Sequence, residues 1–132
     1  MPFVNIKVAG PQLSDEQVRH LQTRARELMA GVLNKKAPVV SVLVEQVALK
    51  GWSVGGATVK AAAHLEAEVT AGTNTKDEKT RFIAEANRLL HEVLGENLPL
   101  ATYVVIDEIA ADAWGYDGVT QEGRRLAAKA AA

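Results

Sequence analysis

The chain alternates short apolar stretches with longer ones of helical periodicity, and it does so twice. Val4, Ile6 and Val8 are separated by Asn5 and Lys7, the period-two pattern of a half-buried strand. Ser14 then offers an N-cap, and Gln17 three residues on completes a capping box. Val18, Leu21, Ala25, Leu28, Met29 and Val32 follow at helical spacing, which predicts one amphipathic helix over residues 15–33, stopped by Pro38. From Val39 to Val47 the chain is β-branched and nearly continuously apolar, predicting a buried strand, and Gly51, Gly55 and Gly56 mark a turn after it. The second half predicts a weak strand at 63–70 and a helix at 76–94 with Ile83, Ala86, Leu90 and Val93 inward. Pro99 then precedes a strand at 101–109. Residues 119–132 are Ala-rich and basic, predicting a short helix or a frayed tail.

Laying the chain on itself at an offset of 62 explains the recurrence. Ala9-Gly10 falls on Ala71-Gly72, Asp15-Glu16 on Asp77-Glu78, Arg19 and Arg26 on Arg81 and Arg88, and Leu28 on Leu90. Val42, Ala48, Trp52, Gly56 and Thr58 meet Val104, Ala110, Trp114, Gly118 and Thr120, all without a gap. The chain reads as a duplicated unit. No Ser- or Pro-rich linker separates the halves, so residues 1–132 are expected to form one domain of two repeats, about 2–60 and 64–122, plus a C-terminal tail. A strand–helix–strand unit with so long a linker makes a parallel pair with a right-handed crossover. Two of them predict an α+β fold: a four-stranded sheet with both helices on one face. The apolar strands at 39–47 and 101–109 leave the open face to be covered by neighbouring copies, so self-association is expected.

Composition narrows the chemistry. Lys and Arg number 15 against 16 Asp and Glu, a formal charge of -1, without the basic excess of a nucleic-acid protein. Cysteine is absent, which removes disulfides, thiol nucleophiles and Cys-based zinc sites. No apolar run approaches the roughly 20 residues that span a bilayer. Met1 to Lys7 has neither the basic nor the long apolar segment of a secretory signal, so a soluble, cytoplasmic protein without membrane partners is expected. His20, His64 and His91 lack metal-ligand spacing, and neither metal nor cofactor is expected.

The sharpest chemical feature is Pro2, directly after Met1. Methionine removal would expose a secondary amine. Free α-amino groups titrate near about 7.7–8.0, and desolvation lowers that further. Such an amine is partly unprotonated at neutral pH and suits a general base, or a nucleophile toward carbonyls.

Pro2 leads into a strand, then Ser14-Asp15-Glu16-Gln17, a helix, a buried strand and Gly51-Trp52-Ser53-Val54-Gly55-Gly56. This order resembles the tautomerase superfamily, and most closely a fused, duplicated 4-oxalocrotonate tautomerase. The resemblance covers residues 2–60 and, through the repeat, 64–118. It implies a tautomerase/MIF-like fold and a homotrimer of fused chains. It also implies an isomerase in which the amino-terminal proline shuttles a proton between oxygen and carbon of a small enol or 2-oxo acid. His64, placed opposite Pro2 by the offset, lies inside the chain and cannot supply an amine, so the second-half site is expected to be degenerate.

Where many members carry an arginine before the Ser-Asp-Glu segment, this chain has Gly10-Pro11-Gln12-Leu13, and Ser41 stands where a second arginine usually lies on the strand. A dicarboxylate is therefore disfavoured against a monoacid, a neutral carbonyl compound or a promiscuous enol. Tyr103, the repeat mate of Ser41, is the expected hydrogen-bonding group beside Pro2. Lys36 is the expected cation, with Lys7, Arg124 and Arg125 as alternatives, and Trp52 and Trp114 are expected pocket walls. The plain alternatives are packing for the aromatics and solvated charge for the cations. Hydratase, dehalogenase or decarboxylase chemistry and a non-catalytic ligand-binding module are the competing functions.

Overall fold

The computed structural model describes residues 2–132. In chain order they form β1 (Phe3–Ala9), α1 (Asp15–Gly31), β2 (Ser41–Gln46), a hairpin of β3 (Ser53–Val54) and β4 (Ala57–Thr58), then β5 (Ala62–Thr70) and α2 (Lys76–Leu94). β6 (Tyr103–Ile109), a second hairpin of β7 (Gly115–Tyr116) and β8 (Val119–Thr120), and α3 (Gln121–Ala131) complete the chain. The main sheet runs β2-β1-β5-β6: β1 is parallel to β2, β5 is parallel to β6, and the two pairs meet antiparallel at β1–β5. The fold is α+β, as expected, with α1 and α2 packed on one face and α3 added at the end of the second half.

One cluster holds the two halves together. Val4, Ile6 and Val8 of β1 and Leu65, Ala67 and Val69 of β5 have no exposure at all, because the period-two pattern turns every one of them toward the helices. Leu21, Ala25, Leu28 and Met29 of α1 and Phe82, Ala86, Leu89 and Leu90 of α2 close over them. Each large side chain buried there contributes about 1.5–3 kcal/mol. Both helices start on complete capping boxes, Ser14 with Gln17 and Thr75 with Glu78. No helix of the described residues is long and apolar enough to cross a membrane.

The caps and the core correct the ungapped repeat. Ser14 matches Thr75, Leu21 matches Phe82 and Leu65 matches Val4, all at an offset of 61. The offset becomes 62 only at the third element, because Pro38 stands three residues before β2 and Pro99 four before β6. The charged identities at 62 in the helices, such as Arg19 with Arg81, sit at exposed positions that packing does not constrain, and Leu28 with Leu90 is the buried exception. Accordingly Phe82 is buried and Ile83, expected inward, is 42% exposed. Phe3 pairs with Ser41 and His64 with Tyr103, so Ala63, not His64, occupies the counterpart of the Pro2 position.

The strands hold a second correction. β5, weak in sequence, is the longest strand and lies in the middle of the sheet. β2 and β6, expected to be buried on both sides, are the edges. Val42, Val44, Val104 and Ile106 face the core, while Leu43 is 44% and Tyr103 64% exposed. An apolar run cannot tell two covered faces from one covered face and one left for another chain. The open face also carries Asn5, Lys7, His64, Glu66, Glu68 and Asp107, with Phe3, Val105 and Ile109 among them. Both hairpins turn on residues with positive φ, Gly55-Gly56 at 60° and 81° and Asp117-Gly118 at 51° and 77°. These are the two-residue turns that match strand twist.

Candidate active site

Pro2 is fully buried at the head of β1, its carbonyl accepting the backbone N–H of Ser41 at 3.2 Å. It lies on the wall of a cavity of about 290 Å³. The first half contributes Pro2 and the loop after α1, with Lys35, Lys36 and Val39; the second half contributes Thr70, Thr73, Ala111, Tyr116, Gln121, Arg124 and Arg125. No aspartate or glutamate is among these lining residues, so the cavity is cationic.

Local hydrogen bonds fix its walls. Asn34, three residues beyond α1, has φ at 60° and donates its side-chain amide to Glu78 at 2.7 Å. Asn74 donates to the Leu33 carbonyl at 2.8 Å, and Lys35 Nζ to the Thr73 hydroxyl at 2.8 Å. The loop carrying Lys36 is thereby tied to the loop after β5. Burial lowers the pKa of Lys35, against the pull of the Glu78 and Glu108 carboxylates. The Thr75 N–H and the Asn74 amide hold the Glu78 carboxyl below its usual range. On the other side, Arg124 stacks 3.8 Å above the Tyr116 ring centroid and donates Nη2 to the Tyr116 carbonyl at 2.8 Å. Arg124 Nε and Gln121 Nε2 are shielded from solvent and lack hydrogen-bond partners among the described residues. A buried donor left unpaired costs about 1–3 kcal/mol.

Of the residues expected at the site, Pro2 and Lys36 share this cavity. Arg124 and Arg125 also line it, while Lys7 is exposed on the open face. Trp114 stands behind the wall, its Nε1 donating to the Thr70 hydroxyl at 3.1 Å. Tyr103 and Trp52 are elsewhere in the chain. They line a separate cavity of about 350 Å³ with Val54, Ala63 and His64. The expectation that Tyr103 lies beside Pro2 does not hold within the chain, because β6 is separated from β1 by β5 and Tyr103 is at its far end, next to His64. Sequence reasoning missed Tyr116 and Gln121. The Gly-Tyr-Asp-Gly hairpin and the three-residue spacing of Gln121 and Arg124 carry the signal, but only packing shows that they face Pro2.

The family model described as Tautomerase enzyme matches residues 2–62 and again residues 64–122. The chain therefore belongs to the tautomerase family, as a duplicated member. It is 38% identical over 59 residues to the Dickeya dadantii (strain 3937) protein named Probable tautomerase K2, a match covering 45% of this chain and 88% of that one. The fold is shared with a native fused 4-OT, at 22% identity and a TM-score of 0.77 over 95% of this chain and 98% of the other. It is also shared with Pt0534 inactivated by 2-oxo-3-pentynoate, at 15% identity and a TM-score of 0.81 over 92% and 98%.

Proposed function

We propose that the chain is an enol–keto tautomerase of a small 2-oxo (enol) acid or carbonyl compound, with the amino-terminal nitrogen of Pro2 as general base once Met1 is removed. The observation that carries this reading is the position of Pro2, on the wall of a cavity whose other named groups are cationic or neutral. Nearby cations favour the neutral amine, the form that accepts a proton. In ketonisation the nitrogen takes the enol O–H proton, and the oxygen electron pair forms the carbonyl. The former double-bond pair then takes the proton back from the prolinium at carbon. Lys36, Arg124 and Arg125 stabilise the charge that develops on oxygen.

Fused 4-OT chains have been solved as trimers, both symmetric and asymmetric. A homotrimer of this chain is supported by its two edge strands and by the exposed Leu43 and Tyr103, which a neighbour would cover. The decisive experiment combines intact mass with kinetics. The purified protein is expected to be lighter by one methionine residue and to ketonise phenylenolpyruvate, and Pro2→Ala is expected to keep the fold and lose the activity. A retained Met1 makes Pro2 nitrogen an amide with no basic pair and ends the proposal.

A further inference from the structure

We propose that Lys35 is a second amine of the Pro2 cavity with chemistry of its own: a site where a small aldehyde condenses onto Nζ as an imine. This goes beyond the tautomerase reading and does not depend on it, since Nζ is a primary amine whether or not Met1 is removed.

Three observations carry it. Lys35 is half-buried on the wall of the same cavity as Pro2, and its 2.8 Å bond to the Thr73 hydroxyl lies open to solvent, so a molecule in the cavity reaches Nζ. Second, the partner of Nζ is neutral. Thr73 donates its own proton to the Thr70 carbonyl at 2.6 Å and keeps an oxygen lone pair for the lysine. Third, the carboxylates nearest in charge are engaged elsewhere. Glu78 accepts from Asn34 at 2.7 Å, from the Thr75 N–H at 2.8 Å and from Asn74 at 3.2 Å, and Glu108 accepts from Lys79 at 3.0 Å. Among the described residues no carboxylate lies within ion-pair distance of Lys35 Nζ.

An ammonium partly withdrawn from water, with a hydroxyl in place of a counter-ion, gives up its proton more readily than one in solution. Burial accordingly lowers the pKa of Lys35, although Glu78 and Glu108 pull the other way. The other titratable side chains lining the cavity are Lys36, Arg124, Arg125 and Tyr116, and the three cations among them add like charge. The neutral amine is the nucleophile toward carbonyls. Its electron pair adds to the carbonyl carbon, the carbonyl oxygen takes up a proton from the nitrogen, and loss of one water leaves the C=N bond. No oxidant, reductant or metal enters this balance. The Ala63 cavity has no lysine among its lining residues, so the device belongs to one half of the chain.

The test is competitive labelling of the purified full-length protein. Limiting propanal is added at neutral pH with sodium cyanoborohydride, which reduces an imine to a stable propylamine, and every amine is read by peptide mass mapping. Lys35 is expected to be propylated about five-fold or more faster than the exposed Lys50, Lys60 and Lys129. Its lead is expected to shrink near about pH 10, where the exposed lysines lose their protons too. Thr73→Asp sets a carboxylate beside Nζ and is expected to bring Lys35 down to the rate of the exposed lysines, whereas Thr73→Ser keeps the hydroxyl and the lead. Thr73 is exposed, so circular dichroism of both variants is expected to match the wild type. Labelling of Lys35 at the exposed-lysine rate in the wild type, a lead undiminished in alkali, or a Thr73→Asp variant that keeps the lead overturns the proposal. The amino-terminal peptide in the same map reports on Met1 and Pro2 separately: a retained Met1 ends the tautomerase reading and leaves the Lys35 comparison intact.

Discussion

The cavity at Pro2 and the cavity at Ala63 are built from the same parts and hold different chemistry. Each lies where the first strand of one half meets the hairpin of the other. One has Pro2, Tyr116 and Arg124; the other has Ala63, Val54 and the beginning of β5. Duplication copied the packing, but two ingredients cannot be copied inside a chain. A basic backbone nitrogen exists only at a terminus, and a helix that swings over the cavity exists only where no strand must follow. The second cavity has no counterpart of Pro2 or of α3 among its lining residues.

Removing the base breaks this contrast most severely. Pro2→Ala is expected to lower kcat for phenylenolpyruvate by about 10²–10⁴-fold, measured by loss of the enol absorbance, with circular dichroism unchanged. Core truncations should show the opposite symmetry. Leu21→Ala and Phe82→Ala occupy matching positions, and each is expected to cost about 2–5 kcal/mol in urea unfolding. A large cost in one half and none in the other would show that the halves are not packed as one core.

Exchanging the hairpin residues sharpens the picture on a smaller scale. Tyr116→Val removes the stacking partner of Arg124 and is expected to raise KM about two- to five-fold, whereas Val54→Tyr is expected to leave KM unchanged. The caps should again be equivalent: Ser14→Ala and Thr75→Ala are each expected to cost about 1 kcal/mol.

The smallest effect is expected on the open face, where Glu68 stands directly opposite Asp107 and near Glu66. Burial first, then these two charges, raise its pKa, so the charged carboxylate weakens the fold above that raised value. The cost fades as pH falls through the raised value and is gone below the ordinary 4.5. Glu68→Gln is thus expected to raise Tm slightly at neutral pH and to lose that advantage in acid, as melts across pH would show.

Much of this was legible in the residues. The alternation at Val4, Ile6 and Val8 and the helical spacing from Val18 to Val32 specified β1 and α1. The Ser14 cap did the same for the start of α1, and the paired Trp and Gly residues exposed the duplication. The one-residue slip between repeats was not legible, because surface identities such as Asp15 with Asp77, joined by the buried Leu28 with Leu90, favour one offset, while the caps and the pairs Leu21 with Phe82 and Val4 with Leu65 favour another. Nor was the place of Tyr103. Its similarity to Ser41 says which position it matches in the repeat, while strand order decides what it touches.

Local pattern is a property of the chain alone, so the sequence by itself determined the two strand–helix–strand units and marked Pro2 as the candidate base. Which distant groups converge on that nitrogen depends on strand order, on a one-residue difference in loop length and on where the last helix is free to lie. Those are long-range facts, and only the tertiary structure decided that Tyr116, Gln121 and Arg124, rather than Tyr103 and Trp52, face Pro2.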